Sequence, residues 1–435
     1  MKSKATRVPV LIIVAGLVLF TLAQVSAAQS QERNVLRQLQ QSIAGASDAR
    51  GAAVPIFLRP GEAFDSWGEV VANGIDLDDL ADSGTEFTFF RKATENKISS
   101  LYTKILKDGE PISRDSPNDA KRLAAAKRLL FKDSNPSSGP SESYQAYISL
   151  QKKRQEKTDR IEPNNAEINT AATKQAKRTA RLNLETVGRR NEIEGALATV
   201  RQLSPESWWY IVAADSLTKL RSQGGHEGTP ALDLLPSPSD WSADAGWTRI
   251  HANSQSTLPP ELILPSLDWP LDRSLWYVPQ GQQDIKLTSS ARDIDLEVKF
   301  VRIERPWLDS LIFKAKWRWK PKVAAIQIST GVKGGVPPTG ALPCIPTAFI
   351  LARNVVIAMP ISKQDRQALR ESISKGQLAW GPLRIASTTD PAVSGLRPEV
   401  SRSTVRQPAV QLVGIMCQPL PELPSKTNVT KEAGL

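Results

Sequence analysis

The chain has 435 residues, 56 Lys and Arg against 45 Asp and Glu, 40% apolar residues, two cysteines and two histidines. That length supports two or three domains with real hydrophobic cores. Two cysteines exclude a disulfide-stapled mini-scaffold, and no His/Cys metal cluster can be assembled from residues close in sequence.

Residues 1–27 read as a secretory signal peptide. Lys2, Lys4 and Arg7 give a positive start, Val8–Ala23 is almost wholly apolar, and Val25-Ser26-Ala27 offers small residues for a peptidase. The apolar run is 16 residues, short of the roughly 20 that a spanning helix needs. An uncleaved anchor through residues 8–23 is the alternative. Export, to the periplasm or the exterior, is the expectation. No later stretch is apolar enough to cross a bilayer.

Charge is uneven. Residues 1–90 carry seven Lys and Arg against ten Asp and Glu, and residues 91–203 carry 23 against 14. Outside the cytoplasm, this basic middle points to anionic lipid or an acidic envelope polymer rather than nucleic acid. A solvated helix face is the bland reading.

The expected fold class is α+β. A mixed region at 28–90 precedes a basic, mainly helical region at 91–203. A Trp-rich antiparallel β domain follows at 204–420, with a disordered tail at 421–435. Val35, Leu36, Leu39 and Ile43 repeat at helical spacing and predict a helix over 28–45. Val54–Leu58 and Glu86–Phe90 read as extended, and Asp76–Leu80 as a helical turn. Ser116-Pro117-Asn118-Asp119 starts a helix that puts Leu123, Ala126 and Leu130 on one face. Asn135–Pro140 breaks it. A second helix spans Ser141–Arg160, and a third spans Asn164 to about Leu203. Joined near Pro163, these two make an antiparallel helical hairpin. Residues 204–290 read as irregular, Pro-rich chain between tryptophans.

Asp293–Phe300 alternates polar and apolar residues, which predicts a strand with one wet face and a bulge at Phe300–Val301. Phe313, Ala315, Trp317 and Trp319 alternate with Lys314, Lys316, Arg318 and Lys320. The two runs read as one antiparallel hairpin across Pro306–Ser310, with tryptophans inside and cations outside. Further strands are expected at Ala324–Ser329, Thr347–Met359, Leu378–Ser387 and Val410–Cys417. A short helix is expected at Ser362–Lys375, stopped by Gly376.

Chemistry is sparse. His226 lies in Gly224–Gly228 without the second histidine of a zinc-protease motif, and no Gly-x-Ser-x-Gly elbow occurs. Gly331–Gly335 lacks a phosphate-loop ending. No catalytic, cofactor or metal residue is therefore assigned. Lys314, Lys316, Arg318 and Lys320 form a candidate anion-binding row, whose bland reading is a charge-protected edge strand. Cys344 and Cys417 can form a disulfide if their strands share a sheet, and otherwise are two buried thiols.

Arg305-Pro306-Trp307-Leu308-Asp309, Ile345–Arg353 and Gln411–Cys417 resemble segments of uncharacterised bacterial and fungal proteins. The likeness covers about 285–420 and implies no activity. In physical terms, Trp307 is expected to cap the hairpin and Asp309 to satisfy turn amides.

An exported, non-enzymatic binding or scaffold protein is the leading expectation. A membrane-active protein using its basic helices is the second, and an envelope hydrolase with paired carboxylates the third.

Overall fold

The computed structural model describes residues 30–47, 53–58, 77–84, 90–91, 96–112, 119–159, 189–222, 232–241, 243–254, 274–279, 283–321, 323–376, 378–385 and 397–424. The signal-peptide segment, Glu86–Phe89, Ser116–Asn118, residues 160–188, His226 and residues 425–435 lie outside them, so the hairpin turn near Pro163 does too. Helices and antiparallel sheets are both present, and the architecture is α+β.

The chain divides into two compact units. The first takes the described residues of Met1–Leu101, Gly224–Pro306 and Ile326–Leu423. The second takes those of Tyr102–Gln223, Trp307–Ala325 and Pro424–Leu435.

The first unit is organised by a nine-stranded sheet. At its centre Asp293–Glu304 pairs antiparallel with Cys344–Ala358, from Ala348 opposite Arg302 to Ala358 opposite Asp293. The other edge of Cys344–Ala358 holds Gln411–Pro419 and Thr404–Gln407. Thr248–Asn253 and Asp233–Leu235 line the far edge of Asp293–Glu304. Val54–Leu58 adds antiparallel to Gln411–Pro419, and Phe90–Arg91 adds parallel to Val54–Leu58.

Side chains alternate across a strand, so each face of this sheet can bury its own core. Ile294, Leu296 and Val298 pack in one core with Val35, Leu36, Leu39 and Ile43 of helix 30–46 and with Leu369 and Ile373. Val301 and Ile303 point the other way, into a second core with Ile56, Phe349, Leu351 and Trp241. Over Asp293–Glu297 the alternation is as expected, with Ile294 and Leu296 buried and the acidic face only half-buried. The expected bulge is corrected: Asp293–Glu304 runs unbroken, and the apolar role changes sides because the second face is also covered from Lys299 onward. The register irregularity lies in the partner strand, between Arg353 and Val356, where Asn354 adopts a φ of 52°.

Lys363–Ser374 is the expected short helix. The Ser362 hydroxyl caps it by accepting from the Asp365 amide at 3.0 Å. The strand expected over Leu378–Ser387 is two short ones, Ala379–Trp380 and Leu383–Arg384, which turn at Gly381 with φ of 51°. Of Ala324–Ser329 only Ser329 is in a strand; Ser329–Thr330 pairs with Glu422–Leu423. The start of the expected disordered tail is thus ordered, with Leu423 buried.

In the second unit Leu123, Ala126 and Leu130 of Ala120–Leu130 pack against Ile193, Ala196, Val200 and Leu203 of Arg190–Leu203. Tyr147 of Glu142–Asp159 and Ile211 join them. Pro205–Ser222 is an 18-residue helix, where irregular chain was expected. The Ser204 hydroxyl accepts from the Ser207 amide at 3.3 Å and Pro205 opens the first turn. That is the same Ser-Pro signal read at Ser116-Pro117. The aromatic run that follows buries Trp209 and Ile211.

Candidate functional site

After Pro306 the chain enters the single turn Ser310–Phe313, where Asp309 Oδ1 accepts from the Leu311 amide at 2.8 Å. Asp309 satisfies a turn amide as expected. The expected hairpin does not form. Trp317–Trp319 is a three-residue strand paired antiparallel with Gly109–Pro111, while Asp293–Glu304 pairs with Cys344–Ala358. Register explains the preference. Asp293–Glu304 can match a long apolar partner over both faces, whereas only three residues of Trp317–Trp319 are extended. Trp307 caps no hairpin. It is fully buried, with its ring 5.9 Å from that of Tyr102.

Only the exposure pattern expected for 314–320 is kept: Lys314 lies in helical backbone geometry at the end of the turn, and of the four cations only Arg318 is in the strand. Trp317 and Trp319 are buried, and Lys314, Lys316, Arg318 and Lys320 are exposed. The two indoles meet edge-on at 4.9 Å and 85°, and Trp209 lies 6.0 Å from Trp317. Gly109, opposite Trp319, admits this packing because a Cβ there would stand 2.5 Å from the Ile105 carbonyl and 3.0 Å from the Trp209 ring. Buried aromatics of this size hold the backbone in one conformation, so the cations stand on a rigid base.

Arg318 Nε donates to Glu110 at 2.6 Å across the strand pair, and the Lys320 ammonium rests on the Lys107 carbonyl. Lys104 lies 5.5 Å from the Trp319 ring centre and pairs with Asp108 at 3.0 Å. Among the described residues, Lys314 and Lys316 make no ion pair. Exposed pairs such as Arg318–Glu110 contribute little to stability, so the row remains a net source of positive potential. Behind it, the Tyr102 hydroxyl accepts from the Asp309 amide at 3.0 Å and shares a hydrogen bond with Ser216 at 3.1 Å. Burial pushes the Tyr102 phenol up to about 12, so it stays neutral.

Other charged clusters are structural. Lys299 is only 4% exposed, and its ammonium donates to the Ala243 carbonyl at 2.8 Å. It stands 4.9 Å from the centre of the Trp247 ring, and the Arg353 guanidinium stands 4.5 Å from the same ring. Arg353 also donates to Glu297 at 2.6 Å and to Asp244 at 3.0 Å. The arrangement pins residues 240–241 and 243–247 onto the sheet. His251 Nδ1 lies 3.2 Å from Asp295 Oδ1, and its Nε2 lies 3.3 Å from Asn253. Both ring nitrogens are thereby engaged, and His251 and Asp295 stand opposite each other as a cross-strand pair.

Sequence reasoning missed Glu32. It is 5% exposed, accepts from the Ala291 amide at 2.8 Å and from Trp276 Nε1 at 3.2 Å, and burial pushes its carboxyl up to about 7. The signal was present. Position 32 precedes Leu36 by one helical turn and so extends the apolar stripe.

Cys344 and Cys417 do lie on adjacent strands of one sheet, and both are buried thiols. Cys344 faces Pro419 and Cys417 faces Pro346, so the two are diagonal rather than opposite. Among the described residues no group of three or more His, Cys, Asp or Glu is placed to hold a metal ion, and no helix is long and apolar enough to cross a membrane. No family model, no curated protein and no solved structure matches the chain.

Proposed function

We propose that this chain is an exported, non-enzymatic binding protein that engages an anionic component of the cell envelope, a lipid head group or an acidic polymer, through Lys314, Lys316, Arg318 and Lys320. One observation carries the reading: four consecutive alternate positions are exposed cations, and Trp317 and Trp319 between them are buried. Export through residues 1–27 belongs to the proposal, as does a helical hairpin with Glu142–Asp159 as one arm.

A binding role is favoured over bilayer insertion. Surface-inserting helices need a free apolar face. In Ala120–Leu130 and Arg190–Leu203 that face is spent on the helices' own core, and Lys121, Arg122 and Arg128 point outward.

The test is flotation of the chain lacking residues 1–27 with phosphatidylglycerol and with phosphatidylcholine vesicles, and titration with alginate. The variant with Gln at 314, 316, 318 and 320 should lose about a thousandfold in affinity for the anionic targets, since each cation near an anionic surface contributes about 1 kcal/mol. No selectivity for anionic targets at low salt, or equal binding by the variant, would remove the proposal. Release of vesicle contents would favour the membrane-active reading.

A further inference from the structure

Lys316, Arg318 and Lys320 stand along one strand of a short two-stranded ribbon. The Ile112 amide donates to the Lys316 carbonyl at 2.9 Å, and the Lys320 amide donates to the Asp108 carbonyl at 2.8 Å. These bonds continue the pairing of Trp317–Trp319 with Gly109–Pro111 by one residue at each end. A strand rises about 3.3 Å per residue, which spaces the three cations about 7 Å apart in a line.

The other strand carries acid. Glu110 is opposite Arg318 in the register and accepts from its Nε at 2.6 Å. Asp108, whose carbonyl holds the Lys320 amide, pairs its carboxylate with Lys104 at 3.0 Å. The Glu110 and Asp108 side chains are 27% and 37% exposed, so both carboxylates are within reach of whatever covers the ribbon. A line of cations flanked by carboxylates suits a ligand that is itself a line. A planar anionic bilayer would meet the flank as well as the row, and like charges brought together oppose binding.

We propose, resting on the anion-binding reading above, that the partner of this row is a linear acidic polysaccharide laid along Lys316, Arg318 and Lys320, and that Glu110 is a built-in competitor which a polymer carboxylate displaces from Arg318. The ion pair displays the kind of group that Arg318 takes, a carboxylate on its Nε edge at the distance of a charge-assisted hydrogen bond. The Arg318 side chain is 56% exposed, so its pair with Glu110 is weak and exchange is easy. Glu110 therefore tunes affinity without closing the row. Lys314, in helical geometry before the extended stretch, adds charge outside the line.

The test is titration of the same chain with alginate and with phosphatidylglycerol vesicles, matched in the concentration of anionic groups. Alginate should bind about tenfold more tightly, because the two flanking carboxylates oppose a charged surface. Glu110→Gln should tighten alginate binding about threefold, and most of that gain should vanish when Arg318→Gln is also present. Thermal unfolding of both variants checks that the ribbon remains packed. Vesicle binding as tight as that of alginate, no gain in Glu110→Gln, or the same gain with and without Arg318 would each overturn the linear-polymer proposal and leave the anion-binding reading in place. Failure of both targets to bind would remove that reading as well.

Discussion

Trp276 Nε1 donates to the carboxylate of Glu32 at 3.2 Å, across 244 residues of chain. The Ala291 amide donates to the same carboxylate oxygen at 2.8 Å. Helix 30–46 is thus fixed at its first turn by an acidic group that, among the described residues, makes no ion pair. Burial accounts for most of the rise of its carboxyl to about 7.

Glu32 should make stability fall as pH rises. The folded chain keeps a proton on Glu32 to about pH 7, whereas the unfolded chain releases it near 4.5. The proton's contribution is therefore complete below 4.5 and lost as pH climbs to about 7. The interval corresponds to about 3 kcal/mol. Urea unfolding between pH 4.5 and 8 should show this loss. Glu32→Gln should flatten it and be the more stable protein at pH 8. An unchanged slope in the variant would show that Glu32 does not titrate there.

Asp365 should act at the acid end. It is 3% exposed, and burial alone would raise its carboxyl. The Thr288 hydroxyl at 2.6 Å, the Thr288 amide at 3.1 Å and the Ser289 hydroxyl at 3.2 Å outweigh burial and hold it below 3.8. Its contribution is present above pH 3.8 and lost as pH falls below that. Asp365→Asn should cost about 2–3 kcal/mol at pH 7 by denaturant titration, because bonds to a charged acceptor are strong. The cost should shrink below pH 3.

Gly414 should tolerate no side chain. A Cβ there would stand 2.7 Å from the Ile56 carbonyl and 3.2 Å from both Phe57 and Ile350. The carbonyl belongs to a paired strand and has little room to retreat. Gly414→Ala should destabilise the chain by about 2–3 kcal/mol. Loss of the pairing between Val54–Leu58 and Gln411–Pro419 should appear as faster amide exchange at 54–58.

Cys344 and Cys417 should behave as two protected thiols. Both have 0% exposure. A thiol reagent should label neither in native protein and both after denaturation, with or without prior reductant. Labelling of denatured protein only after reduction would show a bond between them.

Binding through the cationic row should weaken with salt. Exposed charges are screened within about 8 Å at physiological ionic strength. Affinity for phosphatidylglycerol vesicles should fall steeply between 50 and 300 mM salt, and the dependence should flatten when the four cations are replaced by Gln. Salt-independent binding would point to an apolar contact instead.

Local pattern was enough for elements that depend on their own neighbours. The stripe Val35, Leu36, Leu39 and Ile43, the face Leu123, Ala126 and Leu130, the short helix ending at Gly376 and the burial of Trp317 and Trp319 all follow from spacing and short-range bonds. Partner choice did not follow. The pairing of Trp317–Trp319 with Gly109–Pro111, and of Val54–Leu58 with Gln411–Pro419, depends on which distant segment completes a core. Alternation shows that a strand has two faces but not where along it the second becomes covered, so the phase change at Val301 and Ile303 was misread as a bulge. The sequence by itself determined helix faces, caps and the alternation of tryptophan with lysine, since those energies are local. Only the tertiary structure decided strand partners and the burial of Glu32, because each arises from groups that are neighbours in space and far apart along the chain.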